Sequence, residues 1–570
     1  MIGFNLSIGE LEFEKVEQSS NTIYNNLKES NFSAARCTIN KYLDDKLFYN
    51  NENYFLIIEG VILNKNEYCV NQLWEESIID LYKDKGECFF EKFRGSFSGV
   101  LYDKQLNKFI VFSDHLGTKH LYYYKNEGEL YISSSIKEMY SFLSKNNIDY
   151  SLSEGASYML LTYGYMLNDN TLCNQIKRLE PGSYIVFENE QSSINSFYNF
   201  PVDFTKNITE EEAVEEIDLL FRKAIKLQFD KDLEYGYKPL VGLSGGLDSR
   251  MVTWVANQMG YKQQVNYTFS ETNYLDETIA KKIAEDLKHE WIFKALDNGV
   301  FLDNIDEVNM ISGGNAIYYG LSHGYSMLKY LNFKELGLVH TGQLGDVIIG
   351  SYIKNLKTPL VYKGQGMYST KMISKLKHYK IQFNSLFELE QYILKQRGIN
   401  GILMGNLTAQ NYTETISPFC DIDFINFCLK LPISLRKGHN IYRKWVLKKY
   451  PEAAEYIWEN TKRNLKHKEY YITYKGKSIP IRKIPQILFN KLGVLKIGTN
   501  SKFHMNPLDY WYKNNSNIRA FQDGYFLEQI NKLDLYPELK SDCIKLYEKG
   551  TAIERNQVLT LLSSVKLFFN

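Results

Sequence analysis

Residues 244–249, Ser-Gly-Gly-Leu-Asp-Ser, carry the densest chemistry in the chain. Two glycines let backbone amides approach a phosphate at a place where a Cβ would intrude. Those amides, the hydroxyls of Ser244 and Ser249 and the N-terminus of a following helix make a cradle for an anion. Asp248 does not suit direct phosphate contact, because like charges repel; it fits as a Mg2+ ligand beside the phosphates. No Gly-Lys-Ser/Thr stands here, so the loop is not of the Walker type. The competing reading is a glycine-rich strand-to-helix turn that holds no ligand.

The elements that must position this loop follow from the hydrophobic pattern. Residues 238–243 read as a strand, 250–259 as a helix, 264–269 as a strand, 276–288 as an amphipathic helix, and 290–295 and 336–340 as further strands. Thr209-Glu-Glu-Glu212 is a capping-box start for a helix over 213–229. This alternation predicts a doubly wound parallel sheet, giving way to helices after about residue 370. The first half differs. It reads as short strands such as 54–59, with hairpins over 97–113 and 121–133 and a helix over 72–82. The change of pattern places a domain boundary near residue 205, giving domains 1–205 and 206–570.

The hexapeptide matches the pyrophosphatase loop of enzymes that split ATP into AMP and pyrophosphate, and the chain resembles the glutamine-dependent asparagine synthetase family over nearly its full length. Arg94-Gly-Ser-Phe97, Asp114-His-Leu-Gly117, Leu121-Tyr-Tyr123 and Ser133-Ser-Ser-Ile-Lys-Glu138 resemble that family's glutaminase domain. Thr341-Gly-Gln-Leu-Gly-Asp-Val347, with Gly350 and Tyr352, resembles its second phosphate-side loop. Pro418-Phe-Cys-Asp421, Lys444-Trp-Val-Leu447 and the segment ending at Lys462 follow in family order. Each match is short; their shared order carries the resemblance. It implies an N-terminal nucleophile-type αββα sandwich, then an α/β ATP-pyrophosphatase domain with a helical C-terminal part. It also implies ATP and Mg2+ as cofactors. ATP would be bound by Ser244, Gly245, Gly246, Asp248, Ser249 and Gly342, and the metal by Asp248 and Asp346. Lys444 and Lys462 would meet phosphate and the developing charge as catalytic residues.

Two departures from the family shape the expectation. Its glutaminase uses a cysteine after the initiator Met, as nucleophile and amine base; Ile2 stands there. Its Asn-Gly oxyanion donor appears as Glu59-Gly60, and a carboxylate opposes an oxyanion. The first domain is therefore expected to be an inactive glutaminase. At Gln343 ammonia-using relatives carry Glu, and a neutral amide neither serves as a base nor holds ammonium. β-Lactam synthetases and lasso-peptide cyclases resemble this arrangement. The preferred expectation is a lasso-type macrocyclase joining a peptide's N-terminal amine to an Asp or Glu side chain through an acyl-adenylate. The alternative is a small-molecule amide ligase, β-lactam-forming or ammonia-dependent. A non-catalytic scaffold or a tRNA thiolase fits less well. The expected partners are a precursor peptide or a small carboxylate and amine, with a protease or leader-binding protein as further candidates. No general base is evident; Tyr412 and Glu414 are positional candidates that read better as structural, and His340, ending its strand before the second loop, reads equally as a core residue.

Composition excludes other classes. The 570 residues are 44% hydrophobic and 24% charged, as in folded globular chains. Equal totals of 67 basic and 67 acidic residues argue against bulk binding of nucleic acid. Seven scattered cysteines without a CxxC pair fit reduced thiols in the cytoplasm, with no zinc spacing among Cys or His. No signal peptide and no membrane-spanning stretch are expected. The zero sum conceals asymmetry: residues 1–100 hold 10 basic and 16 acidic residues (10 − 16 = −6), and 436–508 hold 17 and 4 (17 − 4 = +13). That basic tract contains both candidate lysines. It reads either as a solvated face or as a counter-charge for triphosphate or an acidic peptide.

Overall fold

Alternating inward residues in the first half build two antiparallel six-stranded sheets that face each other. The computed structural model describes residues 2–11, 13, 21–201, 203, 207–354, 356–362, 364–467, 471–474, 477–481, 484–485 and 498–569. The strands are β1 (Gly3–Ile8), β2 (Thr22–Lys28), β3 (Phe32–Ile39), β4 (Leu47–Asn50), β5 (Tyr54–Ile62), β6 (Gly95–Asp103), β7 (Lys108–Ser113), β8 (Tyr122–Asn126), β9 (Glu129–Ser133), β10 (Lys177–Arg178), β11 (Ser183–Glu188) and β12 (Gln191–Ser196). One sheet runs β10-β8-β9-β1-β3-β2 and the other β12-β11-β7-β6-β5-β4. Both predicted hairpins form; β6 and β7 pair from Asp103 opposite Lys108, leaving 104–107 as the loop.

Phe4, Leu6, Phe55, Ile57, Val100 and Val111 fill the space between the sheets. Helix α1 (Trp74–Lys85) covers the outer face of one sheet through Trp74 and Ile78, and α2 (Ile136–Lys145) covers the other through Ile136 and Met139. The layers are therefore αββα, as the resemblance implied. Helix α3 (Glu154–Tyr163) departs from a clean two-domain division. Its Leu160 and Leu161 share a core with Leu559 and Leu562 of the C-terminal helix Ala552–Phe568.

Helix α4 (Glu210–Glu234) opens on the predicted capping box, with reciprocal bonds between Thr209 and Glu212. The second sheet follows: β13 (Lys238–Gly242), α5 (Leu247–Gln258), β14 (Val265–Ser270), α6 (Leu275–Leu287), β15 (Glu290–Ala295) and β16 (Leu336–His340). Beyond the small hairpin β17 (Val361–Tyr362) and β18 (Ile381–Gln382), β19 (Thr415–Ile416) completes it. The order β15-β14-β13-β16-β19 is all parallel. It reverses direction of growth between β13 and β16, the switch point where open α/β sheets bind ligands at their carboxyl ends. The two loops singled out in the sequence leave these two strands.

The halves of the chain meet at a buried ion pair, Lys119 Nζ to Glu414 Oε1 at 2.8 Å. All seven cysteines are free thiols. Among the described residues no helix is long and apolar enough to cross a membrane.

Candidate active site

The 244–249 loop is held by its own polar groups. Ser249 Oγ accepts from the Ser244 amide at 3.0 Å and meets Ser244 Oγ at 2.9 Å; the Gly246 amide donates to Ser244 Oγ at 3.2 Å. Gly246 stands at the N-cap of α5 without a side-chain cap. The helix therefore keeps free N–H groups at the position suited to an anion. From beneath, the Gly245 amide donates to Asp276 Oδ1 at 2.8 Å. Arg250, fully buried, donates to Gly245, Ala453, Tyr456 and Ile457 carbonyls. It ties the loop to the chain segment that forms the far wall.

The second loop sits directly on the first. A Cβ on Gly342 would lie 2.4 Å from the Ser249 nitrogen, and one on Gly345 2.7 Å from Asp248 Cγ. Both positions need glycine for this close approach. The Asp346 amide donates to Asp248 Oδ2 at 2.9 Å, and Tyr442 Oη donates to Asp248 Oδ1 at 2.8 Å. The two carboxyls are thus adjacent, Asp248 half-buried and Asp346 open to the cavity. Burial, then repulsion from Asp346, pushes the Asp248 carboxyl well above the carboxylate range. Burial raises Asp346 as well, against the pull of His439, Arg397 and Lys354. No described group forms an ion pair with either acid. Two adjacent carboxyls with no direct ion-pair partner are a place where a cation is favoured.

These residues line one cavity of about 480 Å3, reaching from Ser244, Gly246, Asp248 and Ser249 across Gly342 and Asp346 to His439, Tyr442, Trp458 and Asn460. The structure brings together every nucleotide and metal residue expected from the sequence except Gly245, which lies just beneath. Lys444 is a correction. It sits in the helix Asn440–Lys449 two residues beyond Tyr442 and pairs with Glu210 at the start of α4. Residues two apart on a helix face nearly opposite ways, so Tyr442 enters the site and Lys444 leaves it. Lys462 is exposed in a left-handed turn (φ 57°) two residues after Asn460, outside the cavity lining. Part of the basic tract 436–508 lies outside the described residues.

The positional base candidates are also accounted for. Glu414 is engaged by Lys119, Tyr412 stacks on Phe333 with centroids 5.0 Å apart, and His340 is buried against Phe229 with Nε2 2.7 Å from Asp232. None lines the nucleotide cavity. Sequence reading missed Asp276, Arg250, His439 and Tyr442. Tyr442 has a signal, since it lies at helical spacing from the quoted Lys444 segment; the others depend on long-range contacts.

In the first domain Glu59 meets Lys46 Nζ at 3.3 Å and accepts from Thr38 Oγ1 at 2.8 Å, with its side chain fully buried. Burial alone would raise its carboxyl, but Lys46, Lys119 and Arg36 outweigh that and hold it below the usual range. The carboxylate is closed into an ion cluster running through Lys119 to Glu414.

A glutamine amidotransferase domain family model matches residues 42–198, and an asparagine synthase model matches 216–476. Among curated relatives, the amidase chry2 of Gibberella zeae is 26% identical over 188 residues, 32% of this chain and 26% of its own. Asparagine synthetase B of Escherichia coli is 25% identical over 40% of this chain and 36% of its own. Asparagine synthetase 1 of Bacillus subtilis is 24% identical over 46% and 42%. The chain thus spans about a quarter to two fifths of the length of these relatives.

Proposed function

Because the chain belongs to the asparagine synthetase family, we propose that it is an ATP-dependent, AMP-forming carbon–nitrogen ligase. The observation that carries this is the adjacent Asp248–Asp346 pair, without a direct ion-pair partner among the described residues, at the base of an anion cradle. The pair and a nucleotide triphosphate complement each other: the acids would hold Mg2+, and the metal, when bound, supplies charge neutralisation along the phosphates. Loop amides and the α5 N-terminus would receive phosphate oxygens. Tyr442 and the Asp346 amide each hold one oxygen of Asp248 and fix the orientation in which its carboxyl would meet a metal.

A carboxylate oxygen of the donor attacks the α-phosphorus; the bond to the bridging oxygen breaks and pyrophosphate departs. A neutral amine then attacks the acyl carbon, the carbon–oxygen bond to AMP breaks, and the amine loses its proton. Desolvation in an apolar cavity favours the neutral amine. We place Lys462 near the departing pyrophosphate, since it lies two residues beyond pocket-lining Asn460.

The first domain is proposed to have no glutaminase activity. Ile2 precedes β1, and Glu59 is occupied by Lys46 and Thr38. We further propose that the nucleophile is an amine of the substrate itself and that the substrate is a peptide, as in a lasso-type macrocyclase acting on a precursor peptide. Supporting this is a second large cavity opening beside the nucleotide cavity, of about 470 Å3. That is more room than a single small amino acid requires.

The test uses α-32P-ATP, Mg2+ and synthetic linear peptides bearing a free N-terminal amine and an Asp or Glu side chain. AMP, pyrophosphate and a product lighter by one water are expected. Turnover only with aspartate and ammonia would replace the peptide reading by the small-molecule one. Amide formation from glutamine nitrogen would overturn the inactive glutaminase.

A further inference from the structure

The second cavity shares a wall with the nucleotide cavity, made by Tyr267, Phe269, Thr341, Gln343, Ile402 and Met505. Its other surfaces include Tyr165, Tyr319 and Tyr368. Into this aromatic space comes one guanidinium, Arg397, which lines the second cavity and not the nucleotide cavity. Its stem is pinned: a Cβ on Gly366 would come within 2.5 Å of Arg397 Cδ. Its head lies 5.5 Å from the Tyr352 ring centroid. Among the described residues Arg397 makes no ion pair and no hydrogen bond.

Other polar atoms here are also unmatched. His323 Nε2 and Asn506 Oδ1 are in the cavity wall, and Tyr352 Oη is beside Arg397; all three are buried without hydrogen-bond partners. The His323 ring lies flat against Phe269 of the shared wall, 5.3 Å between centroids and 7° between planes. Burial holds its pKa at about 4, so it stands as neutral imidazole. An apolar cavity with a few convergent unmatched polar groups is the common form of a ligand site. Its mouth is rimmed by Tyr368, Ile402 and Met505, which are 45%, 42% and 44% exposed.

We propose that Arg397 is the specificity-determining residue for the acid donor, pairing with a second carboxylate of the donor that does not react. This rests on the ligase reading above. The reacting carboxylate must cross the shared wall toward the α-phosphorus. A carboxylate held by Arg397 stays on the far side of that wall, so the two are different groups of one molecule. A planar guanidinium with all its donors open suits a bidentate carboxylate. The aromatic walls and apolar rim suit aromatic or aliphatic neighbours. The donor class is therefore an acidic peptide segment with a nearby apolar residue, not a free amino acid.

The test is titration calorimetry on the full-length protein with Mg2+ and α,β-methylene-ATP present. The probes are the dipeptide Phe-Asp and its C-terminal amide, which lacks one carboxylate. Wild type is expected to bind Phe-Asp at least tenfold more tightly than the amide. Arg397→Gln should bind both equally while still binding the nucleotide, and Arg397→Lys should restore part of the preference. Equal binding by wild type, no binding of either dipeptide, or a preference that survives in Arg397→Gln would overturn the proposal. So would loss of nucleotide affinity in Arg397→Gln with dipeptide binding intact, which would make Arg397 a phosphate ligand. Failure of the ligase reading shows separately, as absence of AMP formation with any carboxylic acid.

Discussion

Two sets of carboxyls in this chain, one enclosed and one lining a cavity, have opposite fates. Glu59 in the first domain is enclosed by Lys46, Thr38 and the nearby Lys119 and Arg36, and the cations hold it ionised. Asp248 in the second domain has another acid beside it and no cation, and its carboxyl is pushed up. Glu59 lies within β5, whereas Asp248 stands at the start of α5 and lines a large cavity. A buried charge with its partners in place is structure. One lacking them awaits a ligand. The difference separates a carboxylate satisfied within the fold from a carboxyl pair that faces a cavity.

The contrast predicts opposite responses to neutralising each acid. The largest effect is on activity: Asp248→Ala should lower AMP formation by about three orders of magnitude or more, in line with loss of a central charge-positioning group. Circular dichroism should show the fold intact. Next comes stability. Glu59→Gln leaves Lys46 buried with its charge unmatched and should cost about 3–5 kcal/mol by denaturant unfolding at neutral pH. Asp248→Asn should stabilise the ligand-free protein in the same assay.

Stability against pH sharpens this further. The lowered Glu59 carboxyl contributes stability above the ordinary carboxyl range and loses it as pH falls through its depressed folded value. The raised Asp248 carboxyl acts the other way: stability falls as pH rises from the ordinary range through its elevated value. Asp248→Asn should remove that decline and Glu59→Gln the acid-side loss, both read from melting temperature against pH. A smaller effect is expected for Gly342→Ala. Its Cβ would press on the Ser249 amide, and KM for ATP should rise while donor binding holds. The smallest belongs to Lys444→Ala. The pair with Glu210 is half-exposed, such surface pairs contribute about 0–1 kcal/mol, and kcat should change less than about threefold.

Much of this was legible in the sequence, for reasons that differ by residue. The 244–249 loop stood out because its glycines, serines and aspartate are contiguous and bounded by a strand and a helix. Asp346 needed the family resemblance, because nothing local ties it to Asp248. The alternating strands and the Thr209 capping box set the two architectures apart. Lys444 misled because a matched segment does not give helical phase, and phase decides that Tyr442 turns inward. Arg250, Asp276 and Arg397 act across long separations, so no spacing announces them. The packing of α3 against the C-terminal helix crosses the boundary that the change of pattern draws near residue 205.

The most direct test asks which acid is waiting for a ligand. Melting temperatures are measured for wild type, Asp248→Asn, Asp346→Asn and Glu59→Gln, with and without Mg2+ plus α,β-methylene-ATP near a hundred times its dissociation constant. Binding to the native state at that level adds about 2.7 kcal/mol of stability. Wild type should rise by a few degrees, Glu59→Gln should rise by the same amount from a lower start, and the two aspartate variants should not respond to the added ligand. A full shift in Asp248→Asn, or a shift lost only in Glu59→Gln, would contradict the assignment of the second-domain pair as the metal–nucleotide site.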